Sequence, residues 1–152
     1  MKVSLFYVKQ NKTKNADAFE KHFLKKIKKN MSLQIIGIAI KKKFSSKEQQ
    51  IKYECERIKE KIGKEKYICF DKAGQKISSE NFANMIYRSN DKVNLIVGGA
   101  FGLSDDLIKN AQKTISFSEM EFSHEVFRVM LLEQVYRACL LYTSPSPRDI
   151  PL

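Results

Sequence analysis

The 152-residue chain has no tryptophan and only two histidines, His22 and His124, far apart in sequence. No zinc-site spacing links them to the cysteines, so a metal centre is not expected. The three cysteines, Cys55, Cys69 and Cys139, form no C-x-x-C, and their odd count suits reduced thiols in a cytoplasmic protein. There is no G-x-G-x-x-G and no G-K-[ST], which argues against a dinucleotide fold or a P-loop ATPase. No apolar run reaches the roughly 18 residues that a membrane-spanning helix needs. The N-terminal MKVSLFYVKQNK carries one lysine and then six apolar or small residues, shorter than the apolar region of an export signal. The expectation is a cytoplasmic protein with no membrane segment.

Negative charge is also scarce. Twenty-eight Lys and Arg stand against 17 Asp and Glu, a formal charge of +11. Two readings fit this excess. One is a polyanionic partner, RNA or DNA, or an anionic membrane surface. The other is a solvated basic surface from lysine-biased coding. The apolar fraction of 43% is ordinary, and the length is that of one domain able to bury a real core.

Hydrophobic patterning alternates between strand and helix. Val3–Val8 reads as a strand, and Asn15–Asn30 as a helix with Phe19, Phe23 and Ile27 on one face and lysines on the other. Leu33–Ile40 is apolar enough for a strand covered on both sides. Ser45-Ser46-Lys47-Glu48 has capping-box spacing for a helix that stops at Gly63. That helix shows Lys, Glu and Gln at its exposed positions, so its charge reads as a solvated face. Lys66–Phe70 is the third strand, and residues 71–76 read as a loop with Gly74 at the turn. A helix from Ser78-Ser79-Glu80 to Arg88, a strand at Val93–Val97 and a helix capped by Ser104 to Gln112 follow. Thr114–Phe117 is the fifth strand, and a last helix starts near His124. No internal repeat is visible. The predicted class is α/β, a mostly parallel sheet with helices on both faces.

Gly98 and Gly99 stand at the C-terminal end of the fourth strand, where open α/β sheets bind ligands. Without Cβ atoms they let a ligand approach the backbone; a tight turn without a ligand is the alternative. Phe117 to Phe122, FSEMEF, leaves the fifth strand as a short loop. Its backbone groups can read an adenine edge, with Met120 and Phe122 flanking the ring, or its apolar residues are ordinary core anchors. The last helix is apolar on nearly every face, so it is expected to be buried here and against a second subunit. Glu133 and Arg137, at i and i+4, form either an ion pair within the helix or a pair facing a substrate.

Four strings in order carry a family resemblance: FD-x-x-G-x-x-x-SSE-x-FA from Phe70 to Ala83, then LIVGGAFGL, SFSEMEFSHE and FRVMLLEQVYRA. At this spacing the chain resembles the ribosomal RNA large subunit methyltransferase H family of the SPOUT class over residues 1 to 138. The resemblance implies a homodimeric enzyme with a C-terminal trefoil knot. It implies S-adenosyl-L-methionine as cofactor and methylation of a pseudouridine N3 in helix 69 of 23S rRNA, within the large subunit or the assembled ribosome. By residue match, Phe70, Gly98 and the residues Phe117, Ser118, Glu119, Met120, Glu121 and Phe122 would line the cofactor site. Glu133 and Arg137, with His124 and Arg128, would orient the base or bind phosphate. The family usually has proline before the histidine of the last helix; here it is Ser123, which can cap the helix instead. Two further readings are another SPOUT methyltransferase acting on tRNA, and a basic RNA-binding module without catalysis.

The end of the chain reads differently. CLLYTSPSPRD, from Cys139 to Asp149, breaks a helix that should continue. Residues 139–152 are therefore read as a non-native tail resembling translated sequencing-adapter read-through, with the SPOUT domain at 1–138. Family members end in a Tyr-His pair that completes the partner's site. The expectation for this chain is cofactor binding with weak or no methylation.

Overall fold

The computed structural model describes residues 1–9, 14–40, 42, 44–89, 92–99 and 101–143. Strand β1 (Lys2–Val8) buries six consecutive residues, Val3 to Val8. Successive side chains on a strand point to opposite faces, so such a strand must be covered on both. It lies inside a five-stranded parallel sheet with β2 (Ser32–Ile38), β3 (Ile68–Lys76), β4 (Lys92–Val97) and β5 (Lys113–Ser116). The order is β2-β1-β4-β3-β5, with Leu5 in register with Ile35 on one side and Leu95 on the other.

Helices cover both faces. Val3, Leu5 and Tyr7 pack with α1 (Lys14–Ile27), α3 (Ser79–Arg88) and α5 (His124–Thr143) through Ile27, Phe82, Ile86, Leu131 and Val135. Phe6 and Val8 pack with α2 (Lys47–Ile62) and α4 (Asp105–Lys109) through Ile58, Ile62 and Leu107. Each fully buried Leu, Ile or Phe contributes about 1.5–3 kcal/mol. The predicted class and the two-sided covering are the ones found.

The helix starts follow their polar residues. The hydroxyls of Ser46, Ser78 and Ser104 accept from the backbone N–H of Gln49, Asn81 and Leu107 at 3.1, 3.1 and 3.2 Å. Gly63 ends α2 at φ +65°, a conformation that costs residues with a Cβ.

Several local expectations need correction. Phe19 is 56% exposed, and the buried face of α1 instead runs through Glu20 and Ile27, with Phe23 and Leu24 partly covered. Residues 71–76 are not a free loop: β3 continues to Lys76 with a register shift in which both Phe70 and Gln75 pair with Ile115. Gly74 makes this possible, because a Cβ there would lie 2.8 Å from the backbone of Ile115. Helix α4 stops at Lys109 rather than Gln112, whose N–H is drawn to the Tyr67 carbonyl at 2.8 Å.

Helix α5 runs on to Thr143. Cys139 is fully buried in the α1–α3–α5 core, and the Tyr142 ring stacks on Tyr87 at 4.4 Å. The remainder of the segment read as a tail, 144–152, lies outside the described residues.

What positions the site is the way the chain leaves neighbouring strands. From β3 it passes to α3 on one face of the sheet, and from adjacent β4 to α4 on the other. Connections that depart in opposite directions leave a crevice at the strands' C-terminal ends.

Candidate functional site

That crevice holds a cavity of about 430 Å³, within the range of small-molecule sites. Its floor is formed by Phe70 within β3, Val97 at the end of β4 and Ile115 in β5. Two loops and the start of α5 make its walls.

The first wall is the turn from Gly98 to Gly102. The Gly102 N–H donates to the Gly99 carbonyl at 3.0 Å, and Gly102 sits at φ +84°. Gly98 is packed so closely that a Cβ would come within 2.9 Å of the Gly102 carbonyl carbon. A Cβ on Gly99 would lie 2.7 Å from Oε1 of Glu54. Both glycines line the cavity and present only backbone to it.

The second wall is Phe117–Phe122. The Ser116 hydroxyl donates to the Ser118 carbonyl at 2.9 Å, and the Met120 N–H donates to Ser118 Oγ at 3.0 Å. This local bonding folds the loop back over the strand end. Phe117 anchors it from below, edge-on to Phe70 at 5.5 Å and against Phe127 at 5.2 Å. Met120 and Phe122 stay on the rim, 71% and 37% exposed, beside exposed Phe101. Large apolar groups left in water around a cavity mouth mark a binding site more often than chance exposure does.

Two exposed ion pairs tie this loop to β3. Lys72 Nζ meets Glu121 Oε1 at 2.6 Å, and Lys76 Nζ meets Glu119 Oε1 at 2.8 Å. The bond to Glu121 raises the Lys72 ammonium above its ordinary pKa, and the same bond lowers Glu121.

His124 opens α5 on the cavity wall. Burial lowers its pKa below the ordinary histidine value, and the Arg128 charge adds to this; a hydrogen bond to the Gly98 carbonyl opposes both. The imidazole is therefore neutral near pH 7, with one nitrogen donating to Gly98 and the other left as an acceptor. Ser123 caps the same helix, its Oγ accepting from Val126 N–H at 3.4 Å.

Of the residues singled out from the sequence, the cavity gathers Phe70, Gly98, Phe117, Ser118, Met120, Glu121, Phe122 and His124. Glu119 points out to Lys76 instead. Arg128 is buried behind His124, its Nε 2.9 Å from Glu20 Oε1 and its guanidinium 4.4 Å from the Tyr7 ring centre. Glu133 and Arg137 are an ion pair within α5 at 2.9 Å, further along the helix beside a separate cavity of about 280 Å³ that Glu133 lines. Sequence reading missed Lys47, Asp71, Lys72 and Phe101 on the cavity wall. Phe101, beside the glycines, was within reach of the pattern; Lys47 arrives from the start of α2 and carries no local signal, its Nζ lying 5.4 Å from the Phe101 ring centre.

Among the described residues, no group of three His, Cys, Asp or Glu is placed to hold a metal. No described helix is long and apolar enough to cross a membrane. The cysteines are buried free thiols, and burial pushes Cys69 up to about 12, which makes it a poor nucleophile.

A family model described as a predicted SPOUT methyltransferase matches residues 1–145. The chain is 36% identical over 148 residues to the ribosomal RNA large subunit methyltransferase H of Clostridium acetobutylicum, covering 91% of this chain and 93% of that protein. It is 36% identical over 154 residues to the protein of the same name from Clostridium botulinum strain Kyoto, with the same coverage. Among solved structures, the tRNA (m1G37) methyltransferase from Aquifex aeolicus aligns with a TM-score of 0.57. That alignment covers 99% of this chain and 74% of the other at 15% identity, a likeness of fold.

Proposed function

The chain belongs to the ribosomal RNA large subunit methyltransferase H family of SPOUT methyltransferases, and from that membership we propose an S-adenosylmethionine-dependent methyltransferase of 23S rRNA. The finer reading is transfer to N3 of a pseudouridine in helix 69, on the large subunit or the assembled ribosome, by a cytoplasmic homodimer. The observation that carries it is the cavity between the Gly98–Gly102 turn and the Phe117–Phe122 loop. Its residues suit the cofactor. Gly98 and Gly99 present only backbone to the cavity, the Phe117–Phe122 backbone offers polar edges to adenine, and Phe70, Met120 and Phe122 offer apolar contact.

When bound, S-adenosylmethionine supplies a methyl group activated as a sulfonium. The protein's part is alignment and proton handling. His124, bonded to Gly98 and lining the cavity, can orient or accept the imide proton. Glu133 and Arg137 lie further down α5, so their proposed role is toward a base or phosphate presented at the face shared with a second copy. Arg128, locked to Glu20, acts by holding α5 and the position of His124. The family's trefoil knot is part of this reading, with α5 as the threaded segment. The excess of +11 charge supports attraction of phosphate.

Isothermal titration with S-adenosylmethionine tests the cofactor site: the wild type should bind and Gly98→Leu should not. Methyl transfer to ribosomes containing pseudouridine, run beside unmodified tRNA, tests the substrate, with weak transfer by this chain as the expected result if residues 139–152 do not complete the partner's site. Transfer to tRNA alone would move the enzyme to another SPOUT substrate class. Absence of cofactor binding would leave a basic RNA-binding module.

A further inference from the structure

Glu54 is buried in the wall behind the glycine turn. The residue is 2% exposed. One carboxylate oxygen, Oε2, accepts from Gln50 Nε2 at 3.1 Å. The other, Oε1, has no hydrogen-bond partner, and among the described residues no cation pairs with the group. Burial raises its pKa, with the Gln50 bond opposing. A buried carboxyl group that lacks a counter-charge is held toward its neutral form, and a cation brought beside it would favour ionisation.

Oε1 of Glu54 stands where a Gly99 side chain would be, 2.7 Å from the site of that Cβ. Gly99 itself lines the cavity. Only the backbone of one glycine therefore separates the carboxylate from a bound ligand. Of the other charges on the cavity wall, Lys72 is held by Glu121, Lys47 stands over Phe101 at the mouth, and Asp71 adds a second carboxylate, so none of them neutralises Glu54.

We propose that Glu54 selects for positive charge in the cavity, favouring the sulfonium of the methyl donor over the neutral thioether left after transfer. This rests on the cofactor reading above. The missing counter-charge of Glu54 then arrives with the substrate form of the cofactor and disappears with the methyl group. Discrimination between donor and product, and release of product, follow from one buried carboxyl group whose ionised form the donor's positive charge favours. Attraction through a low-dielectric wall is strong enough for this, since one unit charge there shifts binding by about tenfold.

The test compares affinities for S-adenosylmethionine and S-adenosylhomocysteine, which differ in the methyl group and its charge. Glu54→Gln keeps the size and the hydrogen bond to residue 50. It should weaken the cationic donor by about tenfold and change the neutral product by less than about twofold. A purely structural role would weaken both alike, and that result overturns the proposal, as does no change in either. Gln50→Lys gives a second, independent arm, because it places a counter-charge one helical turn from Glu54 without removing it. It should shift the donor-to-product ratio in the same direction, and it decides the matter if Glu54→Gln does not fold. A wild-type protein that binds neither compound removes the cofactor reading and the proposal with it; one that binds both, with a ratio unmoved by either variant, removes the proposal alone.

Discussion

Arg128 on α5 donates through Nε to Oε1 of Glu20 on α1 at 2.9 Å, across 108 residues of chain, with both side chains less than a tenth exposed. The guanidinium also lies 4.4 Å from the centre of the Tyr7 ring at the end of β1. The pair therefore joins the first helix, strand β1 and the helix that carries His124. Removing one partner of a buried pair strands the other charge, at a cost of about 3–5 kcal/mol. Arg128→Ala and Glu20→Ala should each lose stability of that order in denaturant unfolding. The double variant Glu20→Met with Arg128→Leu should lose less than the sum, because no unpaired charge remains. Additive losses would show that the contact is not energetically coupled.

The glycine turn sets a second expectation. At Gly98 a Cβ meets backbone, the Gly102 carbonyl at 2.9 Å, and backbone cannot step aside as a side chain can. At Gly63 nothing lies within 4 Å, and only the φ of +65° opposes a side chain. Gly98→Ala should therefore weaken cofactor binding by tenfold or more through distortion of the turn. Gly63→Ala should cost only about 1 kcal/mol of stability and leave affinity unchanged. Titration calorimetry on both variants separates the two effects. Equal affinities for Gly98→Ala and wild type would mean that the turn does not shape the site.

The order of elements along the chain was legible because β1 and β4 bury apolar runs broken only by Ser4 and Asn94, and serines mark three helix starts. The two cavity loops were legible as glycines and a polar–apolar alternation at strand ends. Glu20 and Glu54 were not, although a signal was present. Glu20 stands at i−3, i−4 and i−7 from Phe23, Leu24 and Ile27, and Glu54 stands at i+3 and i−4 from Ile51 and Ile58. Each acid occupies a place in its helix's apolar stripe, and reading charge as solvated face hides that. Their counterparts, Arg128 and Gly99, lie on distant elements, so only the folded chain shows what each acid meets. The shift in β3 was hidden for a similar reason. Gly74 marks a turn in isolation, but its close approach to Ile115 depends on a strand about 40 residues later.

Salt should separate the two binding activities. With a formal charge of +11, contacts to rRNA phosphates release counterions, and affinity falls steeply as salt rises. Six or more phosphate contacts would cost about 10³-fold or more between about 50 and 200 mM salt. The cofactor cavity is formed largely by backbone and apolar groups, so S-adenosylmethionine affinity should move little over that range. Filter binding to an rRNA fragment beside calorimetry of the cofactor measures both. A flat RNA curve would mean that the basic surface is solvated and plays no part in substrate capture.

His124 ties the site to pH, and the sign follows from its depressed pKa. Above the unfolded value of about 6.5 the ring is neutral in both folded and unfolded chains, and it contributes no pH dependence. As pH falls through that value the unfolded chain takes up a proton that the folded chain resists, because burial and Arg128 disfavour the charged ring. Its contribution to stability therefore declines from about pH 6.5 downward, until the folded-state pKa is passed and the folded ring is charged as well. Protonation also removes the ring's acceptor nitrogen, so methyl transfer should fall over the same acid limb while cofactor affinity falls less. An NMR titration should assign to His124 a midpoint below that of an exposed histidine, identified by its loss in His124→Gln. The same variant should flatten the decline in stability below pH 6.5. A normal midpoint for this ring would remove both the neutral imidazole and the proton-handling role given to it.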